Sequence, residues 1–257
     1  MRRRVAVEGA DFHMALWMLA RRSDLGPAIE LLRTLYDVVD DWAARRFLRK
    51  LEQERKVEIS RAGRQNFYRA IAPVSVDDIV AAKKERQDAG WGGRWCLVTY
   101  DLPQDAAGMR KRLIRSMRRV GMGRLNQSTW VSPYDWSETV SAEASARGGA
   151  TYLDWIRDGD LALHCPVAEA VHRMWPLKRL SGRYREIAKR ARALAESSLG
   201  RAGLRNALRT VRSWAVIEAE DPMLPAELLP SDWPSADVRD AVLALRRRVS
   251  QTMAGVT

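Results

Sequence analysis

Residues 92–133 constrain the fold most, because they carry a strand, a helix and a second strand in close succession. Residues 95–100 are apolar and rich in β-forming side chains, which predicts a buried strand. Residues 109–120 have the apolar spacing of an amphipathic helix. Residues 129–131 predict a second strand. This order of elements predicts a small sheet with a helix packed against it.

The predicted helix over residues 109–120 is apolar on one face and rich in arginine on the other. Burying several unpaired cations would be costly, so its basic face has to meet solvent or a partner. We therefore expect Lys111, Arg115 and Arg118 to be exposed. The same basic surroundings lead us to expect Asp101, which follows the first strand, to be ion-paired.

The segment before this stretch, residues 10–72, predicts three helices followed by a β-hairpin. The third helix covers about residues 40–55, with Asp40 as its N-cap. The hairpin combines residues 57–59 with residues 66–68. This is the element order of a winged helix-turn-helix, a class of DNA-binding domain.

The third helix also divides into two faces. Phe47, Leu48 and Leu51 lie on one side, and long donor side chains lie on the other, as in a helix that enters the major groove. An ordinary amphipathic surface helix is the alternative, and the basic hairpin that follows favours the DNA interpretation. The candidate DNA-contacting residues are Trp42, Arg45, Arg46, Arg49 and Lys50 on the helix, and Arg61, Arg64, Gln65 and Asn66 on the hairpin.

The charge balance of the chain also favours binding to nucleic acid. Lysine and arginine total 44 residues against 32 aspartate and glutamate residues, which gives a formal net charge of +12. Such a surplus favours a polyanionic partner, most often nucleic acid, although a basic solvated surface without a polyanionic partner is the alternative. The apolar runs are too short to span a bilayer, so no membrane association is expected. Cys96 and Cys165 are expected to be reduced thiols in a cytoplasmic protein.

The rest of the chain is predicted to be mainly helical, with the last strands of the sheet directly after Pro133. A proline-rich connector covers residues 221–234, in which Trp233 is expected to be an apolar anchor. The predicted elements are a helix over 137–147, strands over 151–156 and 161–165 separated by a turn at 158–159, and helices over 182–196, 200–217 and 236–251.

Several motifs carry a family resemblance when they are taken together. They are Gly93-Arg94-Trp95, Tyr100-Asp101-Leu102-Pro103, Gly121, Ser128-Thr129-Trp130-Val131-Ser132-Pro133, and the run that contains Asp221-Pro222, Glu227-Leu228-Leu229-Pro230 and Asp232-Trp233-Pro234. In this order they resemble the PaaX-like transcriptional repressors, over about residues 35–249. The central part is similar to the small ferredoxin-like nuclease of CRISPR adaptation.

The resemblance implies an α+β protein with a winged helix-turn-helix domain over residues 1–72, a helical linker over 73–93, a ferredoxin-like domain over 94–175 and a mostly helical domain over 176–257. It implies a homodimeric repressor that binds a double-stranded DNA operator and is released by a small-molecule effector. In the phenylacetate-degradation members that effector is a CoA thioester. An anionic ligand of this kind would suit Lys178, Arg179, Arg183 and Arg185.

Asp101 is the one candidate for a catalytic residue, because the similar nuclease also has an Asp after a Tyr at the end of its first strand. A carboxylate there, paired with its symmetry mate, could hold Mg²⁺. A turn-capping role is the favoured interpretation, with Asp105 as N-cap of the next helix. The histidines have no zinc-site spacing, and no nucleotide-binding fingerprint is present, so neither a metal nor a cofactor is expected. A metal-dependent nuclease and a non-specific nucleic-acid scaffold remain the alternative functions.

Overall fold

The computed structural model describes residues 41–55, 57–62, 65–70, 85, 87–146 and 148–254. The first two predicted helices of the winged helix-turn-helix, and most of the linker, lie outside these residues. Among the helices that are described, none combines the length and the apolar character that crossing a bilayer requires.

A helix and a β-hairpin open the described part of the chain. Helix α1 covers Asp41–Gln53, and strands β1 (Val57–Ala62) and β2 (Gln65–Ala70) form an antiparallel pair. Leu48, Leu51 and Val57 are almost fully buried, so α1 and β1 each contribute to an apolar core. These bounds agree with the third helix and the hairpin that the sequence predicts.

A four-stranded antiparallel sheet with two helices forms the centre of the chain. Its strand order is β4-β5-β3-β6, and its element order is β-α-β-β-α-β, which is that of ferredoxin-like domains. The elements are β3 (Trp95–Tyr100), α2 (Ala107–Arg119), β4 (Gly123–Arg124), β5 (Thr129–Ser132), α3 (Ser137–Ser145) and β6 (Leu153–Gly159).

Both faces of this sheet are covered. On one face, Val98 and Trp130 pack with Leu113 and Met117 of α2. This arrangement confirms that α2 turns its apolar side to the sheet, and its Lys111, Arg115 and Arg118 are exposed as expected.

On the other face, Trp95, Leu97 and Val131 pack against residues 170–177 and against Leu224 and Leu228. Successive side chains of a strand point to opposite faces, so a strand that is covered on both sides is apolar throughout. This explains why residues 95–100 read as one continuous apolar run.

Four helices account for most of the remaining chain. They are α4 (Val167–Met174), α5 (Leu177–Glu196), α6 (Arg201–Glu220) and α7 (Ser235–Ala254). The described residues form two compact units. The helix unit combines α1 and the hairpin with residues 184–216 and 234–254, and the sheet unit combines residues 85–183 with residues 217–233.

The prediction of a strand over residues 161–165 is wrong. Strand β6 instead continues through Asp158 to Gly159, which pairs with Trp95 after an irregularity in the ladder. Asp158 adopts a positive φ of 51°, so the chain bends there without ending the strand. Leu161 and Leu163 pack against the apolar core of the sheet unit while they lie outside the ladder, and this packing explains their alternating pattern.

The expected N-cap of α2 is also wrong. The residue at that position is Ala106, and no side chain caps the helix with a hydrogen bond. The backbone N–H of Ala106 instead donates to the carbonyl oxygen of Pro103, at 3.1 Å. A backbone turn therefore starts this helix, and Asp105 remains exposed.

Candidate nucleic-acid interface and an arginine-lined cleft

Helix α1 separates apolar from basic side chains, as the sequence indicates. Leu48 and Leu51 are 1% and 3% exposed, whereas Arg45, Arg46 and Arg49 are exposed. Lys50 is exposed as well. Trp42 lies within α1, and its side chain is outside the described residues.

The contacts that hold two of these cations in place are weak. Arg49 Nε donates to the carbonyl oxygen of Arg45 at 3.4 Å, and Lys50 Nζ lies 3.8 Å from Glu54 Oε1. Exposed pairs of this kind contribute about 0–1 kcal/mol, so an incoming phosphate or base edge can replace them at small cost.

The hairpin that follows α1 carries Arg61 near the end of β1, and Arg61 is exposed. In the strand register Arg61 lies opposite Asn66, and Ala62 lies opposite Gln65. Arg64 and the side chains of Gln65 and Asn66 are outside the described residues. The register therefore places Arg61 and Asn66, two of the predicted DNA-contacting positions, opposite each other in the hairpin.

Asp101 follows β3 directly and is exposed. Its backbone N–H donates to the carbonyl oxygen of Tyr152 at 3.2 Å. Within the described ranges its carboxylate forms no hydrogen bond and no ion pair with another residue. The predictions that Asp101 is ion-paired and that it caps a turn are therefore both wrong for these residues. The same ranges contain no group of three or more His, Cys, Asp or Glu side chains that could hold a metal ion.

Both cysteines are free thiols. Cys96 is buried in β3, and this burial raises the pKa of its thiol to about 11. Its sulfur lies 3.6 Å from Asp135 Oδ1, consistent with a thiol that donates to the carboxylate. Cys96 is therefore uncharged at neutral pH and a poor nucleophile.

The four cations that the sequence suggests for ligand binding have different surroundings. Arg183 is ion-paired with Glu220. Lys178 and Arg179 are exposed on the first turn of α5, and Arg185 belongs to the helix unit. Of these four, only Arg179 lines the cleft described next.

The sheet unit contains a cleft of about 710 Å³ between α2, β4 and the adjoining ends of α5 and α6. We call it the arginine cleft, because five arginines from three segments line it. Trp130 and Trp175, which are 1% and 3% exposed, contribute its apolar wall. The lining arginines are Arg115, Arg118, Arg119, Arg124 and Arg179.

One wall of the arginine cleft depends on close contacts at two glycines. A Cβ on Gly123 would lie 2.5 Å from Trp175 Cε2, and a Cβ on Gly121 would lie 2.9 Å from Pro222 Cα. The indole N–H of Trp175 donates to the carbonyl oxygen of Gly121 at 2.9 Å. Both glycines therefore let other segments approach the backbone more closely than a side chain would permit.

The proline-rich motif after α6 docks onto the central sheet. The hydroxyl of Tyr134 donates to the carbonyl oxygen of Met223 at 2.7 Å, and the N–H of Trp91 donates to Glu227 Oε1 at 3.1 Å. Trp233 packs against the apolar core on the second face of the sheet, which confirms its role as an anchor.

Comparison with known protein families identifies two segments. Residues 88–166 match the family model described as the PaaX protein central Cas2-like domain, and residues 175–255 match that described as the PaaX-like protein C-terminal domain. No curated protein matches the chain.

Among solved structures, the uncharacterized protein Rv0674 from Mycobacterium tuberculosis is similar. It has a TM-score of 0.64 and 20% identity, over 94% of this chain and 95% of that one. A likeness at this identity concerns the fold alone.

Proposed function

The chain belongs to the PaaX-like family, and from that premise we propose that it is a DNA-binding transcriptional regulator that acts as a dimeric repressor. The family domains support a transcriptional regulator of the PaaX type. The observation that supports DNA binding most is α1, which buries Leu48 and Leu51 and exposes Arg45, Arg46 and Arg49. An antiparallel hairpin follows it directly.

In this proposal α1 is the recognition helix of a winged helix-turn-helix, and β1 and β2 form the wing. The exposed arginines of α1 donate to base edges and phosphates in the major groove. Arg61 donates to the DNA backbone beside it. The sequence predicts the two preceding helices that such a domain needs between residues 10 and 40, which lie outside the described residues.

Two copies of the chain would occupy two half-sites of a pseudo-palindromic operator, about 34–36 Å apart. The protein would work in the cytoplasm, where a small-molecule effector would release it from the operator. A CoA thioester is the class of effector that the family resemblance implies.

The test is binding of the full chain to the DNA that flanks its own coding region, measured by fluorescence anisotropy against a scrambled duplex of equal length. A repressor should bind one flanking site at least ~10³-fold more tightly than the scrambled duplex. Equal affinity for both would instead indicate a non-specific scaffold. Both assays are repeated with Mg²⁺, because metal-dependent cleavage that is lost in Asp101→Asn would favour the nuclease.

Replacing Arg61 with alanine should reduce the salt dependence of DNA binding. For each phosphate contact that the variant lacks, its binding to DNA releases about one fewer counterion. The magnitude of the slope of log affinity against log salt should therefore fall by about one. Arg157→Ala, which removes an exposed arginine from β6 of the sheet unit, is the control of equal charge. An unchanged slope in Arg61→Ala, or the same change in both variants, would remove the hairpin from the DNA interface.

A further inference from the structure

Helix α2 presents a row of exposed cations to which the proposed function assigns no role. We call it the α2 basic surface, and it consists of Lys111, Arg115 and Arg118 of α2 together with Arg124 of β4. We propose that this surface binds the phosphate backbone of duplex DNA, as a contact separate from α1 and the hairpin. The inference rests on the proposed function only in taking that duplex to be the operator.

The cations of the α2 basic surface have no carboxylate partner in the described part of the chain. Helix α2 contains no aspartate or glutamate, and none of the surface cations forms an ion pair with a described residue. Two carboxylates line the pockets beside α2, but Glu143 is paired with Arg119 and Glu220 with Arg183. The surface is therefore suited to an anion that comes from outside these residues.

This arrangement lowers the intrinsic stability of α2. Lys111 and Arg115 are four residues apart, and Arg115 and Arg118 are three apart, so like charges are neighbours on one face and destabilise the helix. The first turn of α2 has neither an acidic residue nor a side-chain cap that would offset this repulsion. On α5, by contrast, Arg190 is paired with Glu186. The absence of such pairing on α2 favours a binding role over an ordinary solvated face.

Two arginines of the surface are held in place by groups that carry no charge. Arg118 lies over the ring of Trp130, with its Cζ 5.9 Å from the ring centroid. Arg124 lies directly opposite Trp130 in the β4–β5 ladder, so both side chains lie on the face of the sheet that α2 covers. Arg124 donates to the carbonyl oxygens of Asn126 at 2.9 Å and Gln127 at 3.3 Å. These contacts orient the guanidinium groups, do not neutralise them, and leave further N–H groups for a ligand.

The spacing of the cations on α2 suits the backbone of one DNA strand. Lys111 and Arg118 are seven residues apart, with Arg115 between them. At about 1.5 Å per residue, this separation covers roughly 10 Å of the helix axis. A strand of DNA advances about 3.4 Å per phosphate, so about three successive phosphates lie within that length. Each guanidinium can bind two oxygens of one phosphate, and a row of cations therefore matches a row of phosphates.

The composition of the surface favours nucleic acid over a membrane or an acidic protein. A helix that binds a bilayer inserts apolar side chains, but Leu113 and Met117 of α2 are buried against the sheet. A protein interface has an apolar or aromatic core, whereas every exposed residue of α2 from Lys111 to Arg119 is a lysine or an arginine. A polyanion that is bound by charge and hydrogen bonds alone is the class of partner that fits such a surface.

The test measures the affinity of the full chain for the operator and for a random-sequence duplex of equal length, over a series of salt concentrations. In the double variant Arg115→Ala, Arg118→Ala, the magnitude of the slope of log affinity against log salt should fall by about two, because two phosphate contacts are lost. The slope should fall on both duplexes. The ratio between the two affinities should stay unchanged, since contacts to the backbone carry no sequence information.

A second variant and a control make this result specific. Lys111→Ala, Arg115→Ala removes two exposed side chains that form no ion pair or ring contact with a described residue, so it should preserve the fold and reduce the slope equally. The control Arg112→Ala, Arg157→Ala has the same net charge. Arg112 lies on another flank of α2, where it lines a pocket with residues of α3 and not the arginine cleft, and Arg157 belongs to β6. The control should keep the slope of the unaltered protein.

The possible outcomes separate this inference from the proposed function. Unchanged slopes in both α2 variants, with the operator still bound specifically, would overturn the inference and leave the repressor function intact. An equal change in the control would also overturn it, because net charge alone would then explain the effect. A loss on single-stranded DNA or RNA but not on the duplexes would assign the surface to another polymer and contradict the inference. If the chain binds both duplexes equally and the α2 variants still lower the slope, the repressor function fails and the α2 basic surface stands.

Discussion

The double variant Arg46→Ala, Arg49→Ala is expected to bind its operator about 2–6 kcal/mol more weakly than the unaltered protein, because each base-edge contact is worth about 1–3 kcal/mol. Both side chains are exposed on α1, opposite the buried Leu48 and Leu51. Their removal leaves that apolar face intact, so folding should be preserved. Anisotropy titrations with the operator and with a scrambled duplex measure the effect.

The comparison between the two duplexes separates the roles of the arginines. A loss confined to the operator indicates contacts to base edges, and an equal loss on both indicates contacts to phosphates alone. The double variant Arg112→Ala, Arg157→Ala has the same net charge and alters only the sheet unit. If both double variants bind the operator as the unaltered protein does, α1 is not the recognition helix.

Replacing Gly121 with alanine is expected to destabilise the sheet unit by about 2–5 kcal/mol. Gly121 has a φ of +83°, which costs an alanine about 1–2 kcal/mol. The new Cβ would also lie 2.9 Å from Pro222 Cα and 2.9 Å from the carbonyl oxygen of Pro222, and relieving such an overlap costs about 1–3 kcal/mol. Urea unfolding followed by tryptophan fluorescence measures the sum.

Two other glycines separate these contributions. Gly148 has a φ of +71° and nothing within 4 Å of an added Cβ, so Gly148→Ala should show the backbone cost alone. Gly182 lies inside α5 with open space around it, and Gly182→Ala should stabilise the protein by about 0.5–1 kcal/mol. If Gly121→Ala costs no more than Gly148→Ala, the segment at Pro222 does not pack closely on Gly121.

The bounds of β3, α2 and β5 could be predicted from the sequence because local pattern decides them. A continuous apolar run, an amphipathic period and a glycine stop leave few alternatives over residues 95–132. Residues 161–165 show where such patterns fail. Their alternation has the period of a strand, but it arises from packing against a core, and only the fold distinguishes these two causes.

The arginine cleft was beyond sequence reasoning for a related reason. Arg179 and Arg183 lie one helical turn apart on α5 and look equivalent in the sequence. Glu220, at the C-terminal end of α6, forms an ion pair with Arg183 and, among the described residues, none with Arg179. Which cations remain uncompensated is therefore decided by tertiary packing. The arginines of α2 could have been recognised as part of the cleft from their helical spacing. Arg124 lies in the two-residue strand β4, where no such pattern exists.

The second face of the central sheet has a consequence for how the protein is made. Trp95 and Leu97 are synthesised early, but Leu224 and Leu228, which share their core, emerge from the ribosome only after most of the helix unit has been translated. Until then a nascent chain exposes part of an apolar sheet face, the kind of surface on which chaperones and aggregation act. A fragment cut at the end of β6 keeps every strand of the sheet and lacks this late cover. The sheet unit can therefore complete its fold only near the end of translation.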